Sequence, residues 1–197
     1  LKKENHTVQE RSIRFGIRDF TVVRRPDEWG AGFTFCINGM EIFAKGANYI
    51  PEDSIFGKRS KERTERLLKD CRRANFNCIR VWGGGCYPDD YFYDLCDKVG
   101  MVVWAEIPYI SEHLVNGREN TINQMKELII QNFNHPSIVT WGLSNEITIK
   151  DNHRKDMLDN HYVLQELCKE LDPTRVTTLA CFAMCTPFHP VTKISDI

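Results

Sequence analysis

The 197-residue sequence lacks the charge imbalance that marks proteins binding nucleic acid or other polyanions. Lys and Arg number 26 against 27 Asp and Glu, which gives a formal net charge of -1. Such a balance produces no long-range field that would collect nucleic acid or an anionic membrane surface. We therefore expect no nucleic-acid partner.

Long apolar runs are also missing. No stretch reaches the ~18 apolar residues that a membrane-spanning helix needs, and the N-terminal residues lack the apolar core of a signal peptide. With 42% hydrophobic and 27% charged residues, the composition is that of a globular protein and excludes a disordered or collagenous one. We expect a soluble chain with no membrane partner.

Several sequence motifs of enzyme chemistry are absent. The chain contains no HExxH, GxSxG, GxGxxG or GxxxxGK[ST] pattern, which argues against a zinc hydrolase, a serine-hydrolase elbow and a nucleotide site. We assign no metal ligands and expect no cofactor, although the sequence leaves a structural metal open. His135 precedes Pro136, where a helix must stop, and this position favours a structural role.

The eight cysteines show no CxxC spacing and fall mostly within apolar runs, where a reduced thiol packs as a small hydrophobic group. They stand at positions 36, 71, 78, 86, 96, 168, 181 and 185. Reduced thiols favour a reducing compartment, so we expect a cytoplasmic location.

The chain divides near residue 42. Before it, the pattern predicts a strand over 14–23 and a β-hairpin over 33–43, whose turn is Asn38-Gly39. After it, strand-like runs alternate with segments of helical period. The strand-like runs lie at 43–50, 77–83, 101–108, 138–143 and 176–182, and the helical segments at 60–74, 88–98, 119–133 and 156–171. This alternation predicts a parallel α/β sheet, either doubly wound or part of an eightfold barrel.

Ligands of α/β folds bind at the carboxyl ends of the strands, so polar residues at those ends are candidates for a site. The apolar run 138–143 ends in Ser144, Asn145 and Glu146. Desolvation at such a strand end disfavours the charged form of a carboxyl group, which suits a general acid. The alternative is a helix cap or an ion pair with a nearby Lys or Arg.

Arg80 lies within the second strand-like run and must be paired if it is buried. It is either part of a structural ion pair or the group that orients a catalytic carboxylate. Trp82 and Trp141 are either apolar platforms for a sugar or core residues. The cluster Gly83-Gly84-Gly85 predicts a tight turn between strand and helix, with a ligand contact as the alternative.

The segment from Asn134 to Glu146 resembles the acid/base signature of glycoside hydrolase family 2, which contains β-galactosidases, β-glucuronidases and β-mannosidases. Residues 171–175 resemble the family's segment before its fifth barrel strand. The resemblance implies that 43–197 forms the first (β/α)4–5 part of a TIM (β/α)8 barrel. It also implies that 1–42 is a β segment leading from a sandwich domain into that barrel.

The resemblance assigns the general acid/base to Glu146, a hydrogen bond to the sugar 2-hydroxyl to Asn145, and orientation of the nucleophile to Arg80. The remaining residues that we expect to bind substrate are Asp53, Trp82, Asn48, Glu106 and Trp141. The nucleophile, a glutamate of the family's seventh strand, has no counterpart here. The ~155 residues after residue 42 are also too few for a barrel of ~250 residues. We expect a partial catalytic domain, inactive alone and completed by a homo-oligomer or by the remainder of a longer chain.

The two halves resemble different branches of the family. Residues 1–90 are similar to β-mannosidases and residues 104–197 to β-galactosidases, as recombination, engineering or natural divergence would produce. The implied function is a retaining β-glycosidase acting on terminal β-mannosides or β-galactosides. The alternative is a non-catalytic or engineered half-barrel module for carbohydrate binding or assembly.

Overall fold

The computed structural model describes residues 2–3, 6–148, 154–182 and 184–197. Within them it contains thirteen β-strands and four α-helices. The strands are β1 (Lys2–Lys3), β2 (His6–Thr7), β3 (Phe20–Val23), β4 (Pro26–Asp27), β5 (Gly30–Ala31), β6 (Thr34–Ile37), β7 (Met40–Ile42), β8 (Gly46–Tyr49), β9 (Cys78–Val81), β10 (Val102–Glu106), β11 (Ile110–Glu112), β12 (Ile138–Thr148) and β13 (Val176–Ala180). The helices are α1 (Lys61–Arg73), α2 (Asp90–Val99), α3 (Arg118–Asn132) and α4 (Arg154–Leu171).

The N-terminal part contains a three-stranded antiparallel sheet in the order β3-β6-β7. Strands β6 and β7 form the hairpin predicted from the sequence, and its turn residues Asn38 and Gly39 both have positive φ, 50° and 77°. Asn and Gly tolerate this left-handed backbone better than other residues, which is why the pair sets the turn.

The strand predicted over 14–23 forms only from Phe20 onwards. Upstream of it, the Arg18 guanidinium donates to the carbonyl oxygens of Pro136 and Ile138, both at 2.7 Å. A side chain at Gly16 would collide with the Pro136 ring, 2.5 Å away. These contacts hold residues 14–19 against the start of β12, and the segment does not pair with another strand of the described chain.

The strand-like segments after residue 43, which alternate with helical ones, form the parallel sheet that the sequence predicts. Strands β8, β9, β10, β12 and β13 pair in that order, each parallel to the next, and one α-helix lies in each connection. Strand β11, which the sequence pattern does not reveal, pairs with the far end of β12. A sheet whose strand order follows chain order, with helices in the crossovers, is a partial (β/α) barrel.

Helix boundaries follow from local capping. The Ser60 hydroxyl accepts from the backbone N–H of Arg63 at the start of α1, and the Asp89 carboxylate accepts from that of Phe92 at the start of α2. Helix α2 ends at Gly100, whose φ of 70° is left-handed. These are standard N-cap and C-cap arrangements, and they fix where each helix enters and leaves the layer outside the sheet.

One apolar core lies between the sheet and the helices. Its members come from the outward face of the strands and the inward face of the helices, and they include Val103, Ile138, Leu143, Phe92, Met125 and Leu164. All eight cysteines are free thiols, but only Cys96 and Cys168 are buried and the other six are partly exposed. Among the helices of the described residues, none is long and apolar enough to cross a membrane.

A buried ion pair joins the end of α4 to the start of β12. Asp172 accepts from Arg175 Nη1 at 2.6 Å and from Trp141 Nε1 at 2.9 Å, and Arg175 also donates to the carbonyl of Ile138 at 2.8 Å. Burial raises the pKa of Asp172, but hydrogen bonds from Thr174, Arg175 and Trp141 outweigh that effect and hold the pKa below its ordinary value. The carboxylate therefore stabilises the fold in its charged form.

We expect Asp172→Asn to lower the free energy of unfolding by about 3 kcal/mol at pH 7, because it leaves the Arg175 charge buried without a counterion. The pKa of Asp172 is lowered on folding, so this loss is fully present above about pH 4 and shrinks as pH falls through the folded-state pKa. Urea unfolding at pH 7 and pH 3 measures both effects. The exposed Asp159→Asn is the control, with a change within about 0.5 kcal/mol. Equal unfolding midpoints for wild type and Asp172→Asn at pH 7 would contradict the expectation.

Candidate active site

A polar cluster occupies the inner face of the sheet at the carboxyl ends of the strands. Its centre is a bidentate ion pair, in which Arg80 Nε donates to Glu106 Oε1 at 2.8 Å and Nη2 donates to Oε2 at 2.9 Å. Arg80 on β9 lies in register with Trp104 on β10, and Glu106 is two residues further along. Side chains two residues apart point to the same face of a strand, so Glu106 lies on the same face as Trp104 and Arg80. The Arg80 side chain reaches the Glu106 carboxylate by extending along the strand direction.

Glu106 is shielded from solvent, with an exposed fraction of 2%. Burial raises the pKa of Glu106, Arg80 and the Gly83 N–H oppose the rise, and the charge of Glu146 adds to it. The backbone N–H of Gly83 donates to Oε2 at 2.9 Å, so both carboxylate oxygens have donors. Such complete pairing is what makes a buried carboxylate tolerable.

Arg80 connects this pair to the neighbouring strands. Its Nη1 donates to Asn48 Oδ1 on β8 at 3.3 Å, and its Nη2 donates to Asn145 Oδ1 on β12 at 2.5 Å. Arg80 thus brings together four of the residues selected from the sequence, because Asn48, Glu106 and Asn145 each accept a hydrogen bond from its guanidinium. One guanidinium fixes the relative positions of four adjacent strands.

Glu146 follows Asn145 and has a left-handed backbone, with φ 49°. Strand β11 pairs with β12 at Ile110↔Asn145 and at Glu112↔Thr148, so β12 carries one extra residue between these points. This is a β-bulge, which re-aims a side chain. A left-handed conformation costs an ordinary residue about 1–2 kcal/mol, and such strain concentrates at functional sites.

The environment of Glu146 differs from the sequence expectation. A desolvated carboxyl group is expected at the end of an apolar strand, yet the side chain is exposed while residues 141–145 are buried. The bulge is the physical reason, because it turns this residue out of the packed strand. Its charge nevertheless adds to the rise in the pKa of Glu106.

A chain of hydrogen bonds supports Asn145 from a second direction. The Tyr109 carbonyl accepts from the Asn145 N–H at 2.8 Å, and the Tyr109 hydroxyl contacts His113 Nδ1 at 2.5 Å. His113 Nε2 contacts Asp156 Oδ2 at 2.5 Å, and Arg118 pairs with the same carboxylate. Burial raises the pKa of Tyr109 to about 12, so the hydroxyl keeps its proton at neutral pH.

A buried histidine holds the residue before Asn145. His161 Nδ1 donates to the carbonyl of Met157 at 2.7 Å, since that oxygen can only accept, and Nε2 then accepts from the Ser144 hydroxyl at 2.8 Å. Burial lowers the pKa of His161 to about 4, so the ring is neutral at pH 7. His161 acts on the strand end from α4 and His113 from the segment after β11, and sequence spacing gives no signal for either contact.

Two further residues of the inner face escaped the sequence analysis. The Trp104 ring lies under the guanidinium, with Arg80 Cζ 4.7 Å from its centroid. Gly142 faces the same space, because a Cβ there would come within 2.1 Å of Glu106 Cγ and 2.8 Å of Trp104 Nε1. The period-2 relation between Trp104 and Glu106 was the available signal for the first residue.

The expectation that Trp141 contacts substrate is wrong. Its side chain is fully buried on the helix side of β12, where Nε1 donates to Asp172 and the ring lies 5.4 Å from Arg175 Cζ. Successive residues of a strand point to opposite faces, and Gly142 takes the inward one. The alternative that this tryptophan belongs to the core is confirmed.

Asp53 and Trp82 lie on the loops that follow β8 and β9. The Asp53 carboxylate accepts from the Ile55 N–H at 2.9 Å and from Arg63 Nη1 at 2.8 Å, contacts that hold it against α1. Trp82 is partly buried, and its ring covers Gly84, where a Cβ would meet Cη2 at 2.1 Å.

The glycine cluster forms the tight turn that the sequence predicts. The Gly85 N–H donates to the Trp82 carbonyl at 3.2 Å, which closes the turn. A Cβ at Gly83 would meet the carbonyl oxygen of Ile107 at 2.6 Å, so this residue has to be glycine if its N–H is to reach Glu106.

The arrangement can bind a polyhydroxylated ligand and transfer a proton. A shallow, open groove of about 390 Å³ lies on the inner face. It is lined by Asn48, Arg80 and Trp104 and, towards the amino ends of β8 and β9, by Ala44, Gly46, Ala47 and Cys78. Amide, guanidinium and carboxylate groups are the usual partners of sugar hydroxyls, and an exposed carboxyl group at the rim can act as an acid or a base. The metal-type donors Asp94, Asp97 and His135 lie at the opposite ends of the strands.

Comparison with known proteins agrees with the fold. Residues 31–193 match the family model for glycosyl hydrolases family 2, TIM barrel domain. β-Mannosidase B of Emericella nidulans is 36% identical over 156 residues, which cover 74% of this chain and 18% of that protein. A match of this length extends past residue 90, so the similarity to β-mannosidases is not confined to the first half. The chain spans about a fifth of the length of this relative.

Two solved structures share the fold. An FMN-binding β-glucuronidase from Facaelibacterium prausnitzii L2-6 has a TM-score of 0.80 and 36% sequence identity, covering 93% of this chain and 27% of that one. A β-D-mannosidase from Dictyoglomus thermophilum has a TM-score of 0.73 and 31% identity, covering 85% of this chain and 22% of that one.

We expect Gly142→Ala to lower the free energy of unfolding by about 1–3 kcal/mol, because the added methyl group must displace Glu106 from Arg80. The matched control is Gly57→Ala, where a Cβ meets nothing within 4 Å and the change should stay within about 0.5 kcal/mol. Chemical denaturation of the two variants provides the measurement. If Gly142→Ala proved as stable as Gly57→Ala, the packing described for Glu106 would be incorrect.

Proposed function

The chain belongs to glycoside hydrolase family 2, and from that premise we propose that it carries the acid/base side of the active site of a retaining β-glycosidase. Retaining enzymes use two carboxyl groups ~5–5.5 Å apart, one to protonate the glycosidic oxygen and one to attack the anomeric carbon. The observation that carries the proposal is the bulged, exposed Glu146 beside an Asn145 that Arg80 holds in place.

In this proposal Glu146 is the general acid/base. It lies at the carboxyl end of β12, where ligands of α/β barrels bind, and its exposure lets a glycosidic oxygen approach. The same group donates its proton to the leaving oxygen and later takes one from the attacking water.

Asn145 binds the sugar beside the reacting bond. Its Oδ1 accepts from Arg80, which leaves the amide NH₂ to donate to a ligand hydroxyl. A hydrogen bond to the 2-hydroxyl that strengthens in the transition state contributes directly to rate. Arg80 holds the Asn145 side chain in place. In this proposal it also orients the attacking carboxylate.

Glu106 is unsuited to be the nucleophile. Both its oxygens accept hydrogen bonds and it is almost fully buried, so its lone pairs are committed to Arg80 and Gly83. We infer that it positions Arg80. The attacking carboxylate then comes from outside the described strands, in a homo-oligomeric partner or in further polypeptide.

The substrates we propose are terminal β-mannosides or β-galactosides. Asn48 lies on the groove, and Trp82 and Asp53 lie on the adjacent loops, where they are our candidates for contacts with the glycone. We further propose that 1–42 leads from a sandwich domain and that 43–197 is the catalytic part of the chain. The free thiols are compatible with the cytoplasm.

A second candidate function is a non-catalytic or engineered half-barrel that binds carbohydrate or assembles with a partner. It is favoured by the edges of the sheet. In the described chain β8 pairs only with β9, and its residues 46–48 are exposed, which leaves backbone groups available to another strand.

We expect Glu146→Gln, introduced into the protein in the form that its natural source produces, to lower kcat/KM by about 10²–10⁴-fold. The substrates are 4-nitrophenyl β-D-mannoside and 4-nitrophenyl β-D-galactoside. The loss should be much smaller with a 2,4-dinitrophenyl leaving group, which departs without protonation. Glu170→Gln is the control, because Glu170 is an exposed glutamate in the last turn of α4, on the side of the amino ends of the strands.

Three outcomes would decide against parts of this proposal. Equal activity of wild type and Glu146→Gln would remove Glu146 as the acid/base. Turnover by a monomeric form of the 197-residue chain, lost on Glu146→Gln, would place the second carboxylate within this chain. Sugar binding without hydrolysis in every form of the protein would favour the carbohydrate-binding module.

A further inference from the structure

Two of the eight cysteines lie side by side in the loop that follows β13. Cys181 comes directly after the strand, and Cys185 stands four residues later. Both are free thiols, and the side chain of Cys185 forms a hydrogen bond with that of Cys181. The proposed glycosidase function uses neither thiol, so their contact points to a separate chemistry.

The backbone of the loop brings the two thiols together. The Cys185 N–H donates to the Phe182 carbonyl at 2.7 Å, and this bond between residues three apart closes a tight turn. Cys181 directly precedes the turn and Cys185 ends it. A disulfide bond requires two cysteines that are close in space with side chains pointing towards each other. The turn and the contact between the thiols supply that arrangement.

Reagents reach this pair more easily than the cysteines of the core. Cys96 and Cys168 are buried, whereas Cys181 and Cys185 are partly exposed. Thiol exchange depends on such access, because the reagent has to approach the sulfur atom. The pair therefore combines proximity with access to small molecules from the solvent.

We propose that Cys181 and Cys185 form a reversible redox site, at which glutathione disulfide or a similar small disulfide oxidises the two thiols to an intramolecular disulfide bond. Disulfides in reducing compartments are usually transient and redox-sensing. A bond that the glutathione pool can form and open is of this kind.

The order of the two steps follows from the state of Cys181. Burial raises the pKa of Cys181 to about 11, and the charge and hydrogen bond of Cys185 add to the rise. Cys181 therefore keeps its proton at neutral pH, and the first attack falls to Cys185, because the thiolate is the attacking form.

The exchange conserves atoms and electrons. The Cys185 thiolate attacks one sulfur of glutathione disulfide, forms a mixed disulfide and releases one glutathione thiolate. Cys181 then loses its proton and attacks the Cys185 sulfur, which forms the intramolecular bond and releases the second glutathione thiolate. Two thiols of the chain are oxidised, one glutathione disulfide is reduced, and the two thiol protons pass to the released thiolates.

The site lies at the same end of the sheet as the proposed active site. Ala180 pairs with Asn145, so Cys181 follows the strand end next to the one that carries Glu146. The disulfide bond would fix the loop at this place. An effect on catalysis rests on the proposed function, whereas the thiol chemistry does not depend on it.

The test is oxidation of the folded 197-residue chain with excess glutathione disulfide at pH 8, followed by alkylation with N-ethylmaleimide and tryptic mapping. Trypsin cleaves after Arg175 and after Lys193, and the peptide 176–193 contains Cys181 and Cys185 as its only cysteines. We expect this peptide to carry no label and to be two hydrogen atoms lighter than its reduced form. Dithiothreitol added before alkylation should restore both labels.

Single Cys→Ser variants separate this pair from general thiol oxidation. Cys185→Ser should not form the unlabelled peptide, and Cys181→Ser should stop at the mixed disulfide between Cys185 and glutathione. Cys86→Ser is the matched control, because Cys86 is also partly exposed and lies in the loop after β9, at the same end of the sheet. It should form the bond like wild type. Oxidation in urea should instead spread over all eight thiols, because unfolding removes the contact that selects this pair.

The proposal fails if both cysteines of the peptide 176–193 take up label in the oxidised wild-type chain. It also fails if they are found joined only to glutathione or to other cysteines. Equal selection of this pair in urea would show that the fold does not create the site. None of these results bears on the glycosidase function, which uses neither thiol.

Discussion

The buried ion pair between Arg80 and Glu106 is the constraint on which the site depends. Two charges removed from water stabilise a fold only when every polar atom finds a partner. Here the carboxylate takes donors from Arg80 and Gly83, and the guanidinium reaches Asn48 and Asn145 as well. These contacts also explain the glycines at the site. Gly83 must bring its N–H to the carboxylate, and Gly142 must leave space for the Glu106 side chain.

The strand end that carries Glu146 is held from both sides. On the inner face Arg80 binds the Asn145 side chain. The Tyr109 carbonyl, just before β11, accepts from the Asn145 N–H, and on the helix side His161 of α4 accepts from the Ser144 hydroxyl. The left-handed φ of Glu146 is maintained by this surrounding structure, because an unsupported residue would relax to a commoner conformation. Strain and support together leave one carboxyl group exposed at a defined place, as acid/base chemistry requires.

Much of the fold could be predicted from local pattern. The change from period 2 to period 3.6 gave the order of strands and helices, the Asn38-Gly39 pair gave the hairpin, and a buried arginine required a carboxylate partner. The errors have non-local causes. Residues 14–19 contact the start of β12, and the Trp141 indole N–H donates to Asp172 on the helix side of the sheet. The Tyr109–His113–Asp156 contacts likewise join residues that are distant in sequence, and a single sequence does not reveal them.

The most direct test of the central claim is a double-mutant cycle on the free energy of unfolding, with Arg80→Met, Glu106→Gln and the double variant of the 197-residue chain. Contacting charges in one hydrogen-bonded network are coupled, whereas independent sites add within about 0.5 kcal/mol. We expect a coupling energy of about 2 kcal/mol or more, with the double variant more stable than the sum of the single losses allows. Additive losses would contradict the account, because the guanidinium and the carboxylate would then not depend on each other.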